Sequence, residues 1–262
     1  MAFKSPKDTV TAVEGIGIAK ADLSVNRLLT LGFLAGAFIA FGALLAVVVG
    51  GGIPGIKEAN PGLQKFIFGG VFPVGLMFVV IAGAELFTGN TACLMPAVLA
   101  KKAKWSGLLK NWVFSYVGNF VGSLFVAFFL AYATHLLLKD PWASTIIGIA
   151  EGKVAQGFLP LFFKGIGCNW LVCLAVWLAV SSDDITGKIL GIWWPIMAFV
   201  ALGFEHSVAN MFFIPTGMFY GANVTVSQLL FTNLLPVTLG NIVGGAFFVG
   251  TIYWYLYGTR AK

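Results

Sequence analysis

Gly83-Ala84-Glu85-Leu86-Phe87-Thr88-Gly89-Asn90 and Gly203-Phe204-Glu205-His206-Ser207-Val208-Ala209-Asn210 are the two stretches on which the fold turns. Both read G-x-E-x-x-x-x-N, and they lie 120 residues apart. Each sits inside a long apolar region interrupted by a single acid, Glu85 within 66–100 and Glu205 within 189–226. Either region is too long for one upright membrane span, which takes about 20 apolar residues. Each therefore predicts a helix broken near the membrane middle. Pro73 and Pro195 precede the breaks, and Pro96 and Pro215 follow them.

The flanking sequence repeats as well. Asn111–Gly122 and Asn233–Gly244 both read N-x6-G-N-x-V-G, 122 residues apart. Two patterned matches at nearly one offset indicate a duplication with halves at about 28–137 and 158–257. Uninterrupted spans are expected at 28–49, 109–137, 158–180 and 233–257. With the two broken helices this makes six crossings, three per half. An odd number per half inverts the second repeat relative to the first. Inverted repeats with paired broken helices characterise transport proteins that bind substrate near the midplane. The expectation is an all-α integral membrane protein: six transmembrane helices in a 3+3 inverted repeat with two broken helices.

Composition agrees. The 262 residues are 59% hydrophobic and 10% charged, against about 25% charged in soluble domains. That excludes a soluble enzyme, a disordered tail and a disulfide scaffold. The net charge of +6 does not indicate nucleic-acid binding, because the bases lie between apolar runs rather than on a hydrophilic face. Residues 1–27 form a polar N-terminal segment without signal-peptide organisation, and 258–262 a short tail. Counting Lys and Arg by side gives eleven with the termini and five opposite, which predicts cytoplasmic termini. Cys93, Cys168 and Cys173 read as apolar packing residues, and no metal or cofactor is expected. His135 reads as an interfacial residue at the end of the third span.

The deep polar residues are the site candidates. Ionisable groups within a membrane are by default functional. Glu85 and Glu205, with Asn90 and Asn210, read first as stabilisers of the breaks that bind freed backbone N–H groups; direct substrate or proton handling is the alternative. His206 lies in the second break and can donate a hydrogen bond or a proton. Thr88 either donates to a passing anion or caps the half helix behind it. Phe72, Leu76, Leu86, Phe87 and Phe199 are candidates for hydrophobic constrictions. The N-terminal ends of the half helices carry partial positive charge and favour an anion at the centre.

These motifs, with Cys168-Asn169-Trp170-Leu171-Val172-Cys173 and the continuation to Ile214-Pro215, resemble the formate/nitrite transporter family. Phe68–Gly75 and Leu239–Gly245 are most similar to its formate-dehydrogenase-associated formate carriers. The resemblance implies an aquaporin-like fold in a homopentamer with one path per protomer, lying in the cytoplasmic membrane among lipid. It implies a path through His206, Thr88, Asn169 and Lys153, with Val172 joining Phe72, Leu76 and Phe199 at the constrictions. Lys153 would sit in an outer vestibule and concentrate anions; from the sequence alone it is a loop lysine. The substrate implied is formate, possible as anion or as proton-linked acid; nitrite, hydrosulfide or a short monocarboxylate are the alternatives. A redox membrane subunit is a remote one, since only one histidine is deep.

Overall fold

The computed structural model describes residues 3–258, and the regular elements within them are helices joined by short turns and loops. An N-terminal helix α1 (Pro6–Asp22) is capped by Ser5, whose hydroxyl accepts from the Asp8 N–H, and carries Pro6 at its first position. Six helices are long and apolar enough to cross a membrane: α2 (Val25–Gly50), α3 (Pro61–Gly83), α5 (Trp105–Tyr132), α7 (Phe158–Ser181), α8 (Ile185–Leu202) and α10 (Gln228–Tyr257). Shorter helices are α4 (Phe87–Leu99), α6 (Trp142–Val154) and α9 (Ser207–Phe219). A turn and a half of helix, Pro54–Ala59, precedes α3. The four uninterrupted spans fall where the sequence predicts them, with ends shifted by at most five residues.

Both broken helices are present. α3 ends at Gly83 and α4 begins at Phe87, while α8 ends at Leu202 and α9 begins at Ser207. Gly83 has φ +90° and Gly203 φ +73°, left-handed conformations that a side chain would strain. The four prolines around the breaks lie within helices or at the Phe72–Pro73 turn of α3, so the glycines make the breaks.

The halves pack alike. α2 crosses α5, and α7 crosses α10, at glycine-lined contacts. A Cβ on Gly36 would lie 2.0 Å from the Asn119 carbonyl oxygen, and one on Gly122 1.9 Å from that of Phe33. In the second half Gly240 and Gly244 meet the carbonyls of Phe162 and Ile166 at 2.2 and 2.4 Å. Such close backbone approach suits membrane helices, whose association rests on packing rather than on hydrophobic expulsion. The exterior is apolar: Leu109, Val113, Val117, Val121, Phe125 and Phe129 form an exposed stripe at four-residue spacing along α5. Asparagines, threonines and glutamates are buried instead, at the seam between the halves.

α1 belongs to this symmetry. It packs on α4 as α6 packs on α9. The boundary at residue 27 thus separates α1 from the spans along the chain, whereas its contacts tie it to the first half. The tail beyond Gly258, including Arg260 and Lys262, lies outside the described residues.

Candidate functional site

At each break an asparagine of the repeated N-x6-G-N motif serves the backbone. Asn119 Oδ1 accepts the Phe87 N–H at 2.9 Å, and its Nδ2 donates to the carbonyls of Gly32 (2.8 Å) and Glu85 (2.9 Å). Asn241 does the same for the Ser207 N–H and the carbonyls of Gly165 and Glu205, each at 2.9 Å. Backbone at this depth has no water to satisfy it, so these bonds hold the breaks open.

The glutamates do something else. Instead of the freed backbone N–H groups expected for them, their carboxylates accept from side chains. Glu85 takes Lys20 Nζ at 2.6 Å, Asn90 Nδ2 at 2.7 Å and Asn111 Nδ2 at 3.1 Å. Glu205 takes Lys153 Nζ at 3.0 Å and Asn210 Nδ2 at 2.6 Å. A full negative charge in a low-dielectric seam is better matched by a cation than by an amide, which frees the backbone for the neutral asparagines. The second amide bonds also correspond: Asn90 to Asn111 at 2.8 Å, Asn210 to Asn233 at 2.7 Å.

Lys20 is the residue that sequence reasoning missed. Its carbonyl accepts from Asn111 Nδ2 just as that of Lys153 accepts from Asn233 Nδ2, so the two lysines are counterparts. The signal was present: Gly15-Ile16-Gly17-Ile18-Ala19-Lys20 and Gly148-Ile149-Ala150-Glu151-Gly152-Lys153 share G-I-small-x-small-K at an offset of 133.

Between the two charge pairs lies the His206–Thr88 contact. His206 Nε2 is 3.1 Å from Thr88 Oγ1, and both residues are buried. His206 Nδ1 accepts the Ala209 N–H at 3.1 Å, capping α9. An accepting Nδ1 places the proton of the neutral ring on Nε2, so Nε2–H donates to the Thr88 hydroxyl. The hydroxyl hydrogen is then available to a further acceptor. Thr88 does not cap α4; its carbonyl instead accepts from Thr91 Oγ1 (2.6 Å), Asn169 Nδ2 (3.1 Å) and Cys173 Sγ (3.4 Å). Asn169 thus supports the Thr88 backbone, and also reaches the Asn241 carbonyl at 2.6 Å.

Apolar side chains enclose this contact. Phe72 and Phe199 meet edge to face at 5.8 Å, and Phe199 stacks on the His206 ring at 5.8 Å. Leu76, Leu86 and Val172 are buried in the same cluster. Phe87 is not among them: its ring packs edge-on against Tyr116 at 4.9 Å and Trp112 at 6.2 Å, because the first residue of α4 faces α5. His135 lies exposed just past α5, and the three cysteines are buried and unpaired in disulfides.

A vestibule opens on either side. The one beneath α1 has a volume of 420 Å³ and is lined by Ile16, Lys20, Leu76, Glu85, Leu86 and Cys93, among others. The opposite one is smaller, 130 Å³, and reaches His206 past Phe72, Ile149, Lys153, Phe199 and Phe213. Lys153 also lies over the Phe213 ring, 5.5 Å from its centre. Among the described residues no three metal-ligating side chains gather.

The profile of the formate/nitrite transporter family matches residues 7–255. A probable formate transporter of Methanothermobacter thermautotrophicus is 54% identical over 98% of each chain. The formate channel BtFdhC of Bacillus thuringiensis is 45% identical over 98% of this chain and 97% of its own. Among solved structures, a pentameric formate channel with formate bound superposes with a TM-score of 0.77 at 34% identity, over 89% of this chain and 97% of that one. With those channels the chain shares the aquaporin-like fold, and it belongs to the formate/nitrite transporter family.

Proposed function

We propose that this chain conducts formate across the cytoplasmic membrane, through a path in each protomer of a homopentamer, with both termini in the cytoplasm. The observation that carries the proposal is the buried His206–Thr88 contact, set in an apolar constriction between two vestibules that each hold a lysine–glutamate pair. A bare carboxylate entering such a constriction loses its hydration at a cost of several kcal/mol. The Thr88 O–H, polarised by the Nε2–H donated to its oxygen, offers a replacement hydrogen bond within the apolar cluster. The half helices α4 and α9 begin at the breaks, so their positive ends face the same region. Asn169 positions Thr88 through its carbonyl, and Glu85, Glu205, Asn90 and Asn210 keep the breaks rigid. Phe72, Leu76, Leu86, Val172 and Phe199 limit passage to small ions. The likeness to a probable formate transporter, to a formate channel and to a solved channel with formate bound supports formate as the substrate.

The test is flux of labelled formate, nitrite, hydrosulfide and lactate into liposomes holding the purified protein, at two pH values. Formate is expected to pass, and His206→Phe to stop it. Wild-type formate flux in His206→Phe removes the histidine from the path.

A further inference from the structure

The vestibule beside His206 is electrically balanced, and that observation moves the attraction of anions elsewhere. Lys153 was the expected lure, but its ammonium is bound to both oxygens of Glu205, at 3.1 and 3.0 Å. One positive and one negative charge at that mouth cancel. The other vestibule is balanced in the same way by Lys20 and Glu85. An anion approaching either mouth therefore meets no net positive charge from these pairs.

One step farther out on the Lys153 side lies a third cavity, of 370 Å³. It is lined by Lys57, Gln64, Lys65, Ser144 and Thr145 together with apolar residues, and among the described residues no acid lines it. Three of those residues, Phe68, Ile149 and Val200, also line the vestibule that reaches His206, so the two cavities adjoin. Lys57 comes from the Pro54–Ala59 helix, Lys65 from the first turns of α3, and Ser144 and Thr145 from the start of α6. Most of the neutral donors are already committed: one N–H of Gln64 Nε2 to the Gly50 carbonyl, Ser144 Oγ to that of Pro141 and Thr145 Oγ1 to that of Gly51. Neither Lys57 nor Lys65 has an ion-pair partner among the described residues.

We propose that the Lys57–Lys65 cavity is an antechamber that gathers small monovalent anions by charge and passes them to the Lys153–Glu205 mouth. This rests on the reading of the chain as an anion conduit. With the hydroxyls and one of the two Gln64 amide N–H groups spent on carbonyls, the antechamber attracts chiefly through two ammonium groups rather than through a directed cage. It raises local anion concentration without holding the ion, as a conduit needs: binding must be weak enough to release.

The experiment measures formate influx from the Lys57 side in liposomes, as a function of formate concentration, at low and at high salt. In Lys57→Ala/Lys65→Ala the half-saturating concentration is expected to rise about fivefold at roughly 0.02 M salt. The difference should collapse at about 1 M, where the Debye length falls to about 3 Å. Lys57→Glu/Lys65→Glu should shift it further. Lys139→Ala, a lysine that does not line the cavity, should shift it by less than the double alanine variant does. An unaltered half-saturation in the double alanine variant at low salt overturns the antechamber. So does a shift that persists at high salt, or an equal shift in Lys139→Ala. If the wild-type protein passes no formate, the conduit reading itself fails, and that result is distinct from a wild type that conducts with variants that match it.

Discussion

Lys153→Met tests whether the lysine at the mouth attracts anions or silences a carboxylate. In the wild-type protein its charge is cancelled by Glu205, whose side chain is 5% exposed against 16% for the lysine. Methionine keeps the length of the stem and removes the charge. Glu205 is then left uncompensated beside the path. An anion at roughly 6 Å from a lone carboxylate, at an effective dielectric constant of about 20, meets about 3 kcal/mol of repulsion. That lowers occupancy on the order of a hundredfold. The same substitution should destabilise the fold by about 3–5 kcal/mol, the usual cost of stranding one partner of a buried pair. Adding Glu205→Gln removes the stranded charge and retains an acceptor for Asn210. The double variant should therefore recover most of the flux and most of the stability. The assays are formate uptake into liposomes and thermal unfolding in detergent, on both single variants and the double. If Lys153→Met conducts like the wild type, the electrostatic argument is wrong. If the double variant is as poor as Lys153→Met, the lysine acts directly on the anion and the neutralisation account fails.

Three further outcomes follow from the geometry. Asn119→Ala and Asn241→Ala each strand one buried N–H and leave two carbonyls without that donor, so each should cost about 3–5 kcal/mol, and the two should match within about 1 kcal/mol; thermal unfolding of both checks this. Gly122→Ala places a methyl group 1.9 Å from the Phe33 carbonyl, where α2 and α5 must part; a loss of about 1–3 kcal/mol is expected, and the same for Gly244→Ala against Ile166. Asp183, in the turn between α7 and α8, is bound by Lys4, and that hydrogen bond lowers its carboxyl below the ordinary 3.8. A lowered folded value stabilises above the unfolded one and is lost only as pH falls through the folded one. Hydrogen exchange at the start of α1 should thus show no change attributable to this clasp between pH 5 and 8, and Asp183→Asn should raise it across that whole range.

Much of the fold was readable because the membrane penalises each exception. Glycines at positive φ, single acids in apolar runs and repeated asparagines are expensive at depth, so each marks a place where the chain does something specific. That is why Gly83, Gly203, Glu85 and Glu205 located the breaks. The partners of those acids were harder to read. Lys20 lies 65 residues before Glu85 and Lys153 lies 52 before Glu205, in helices that look peripheral along the chain. Ion pairs between distant segments leave no periodicity, and only the weak G-I-small-x-small-K match connects them. Phe87 shows a second limit. Its neighbours Leu86 and Thr88 face the seam, but the turn of helix between them sends its ring to Tyr116 and Trp112. Cavity sizes are harder still, since 420 and 130 Å³ arise from the sum of many side-chain orientations.

His206 carries a consequence for how this site can change over time. Its two nitrogens are spent on different tasks, one on the backbone of α9 and one on Thr88. Asparagine at this position can still cap the helix, yet its amide stops short of the threonine. Glutamine has the reach but caps poorly, and lysine supplies a charge with no acceptor for the Ala209 N–H. Each of these three replacements forfeits one task to keep the other. The position is a bottleneck in sequence space: new selectivity is easier to acquire from the rings and lysines around it than from the histidine itself.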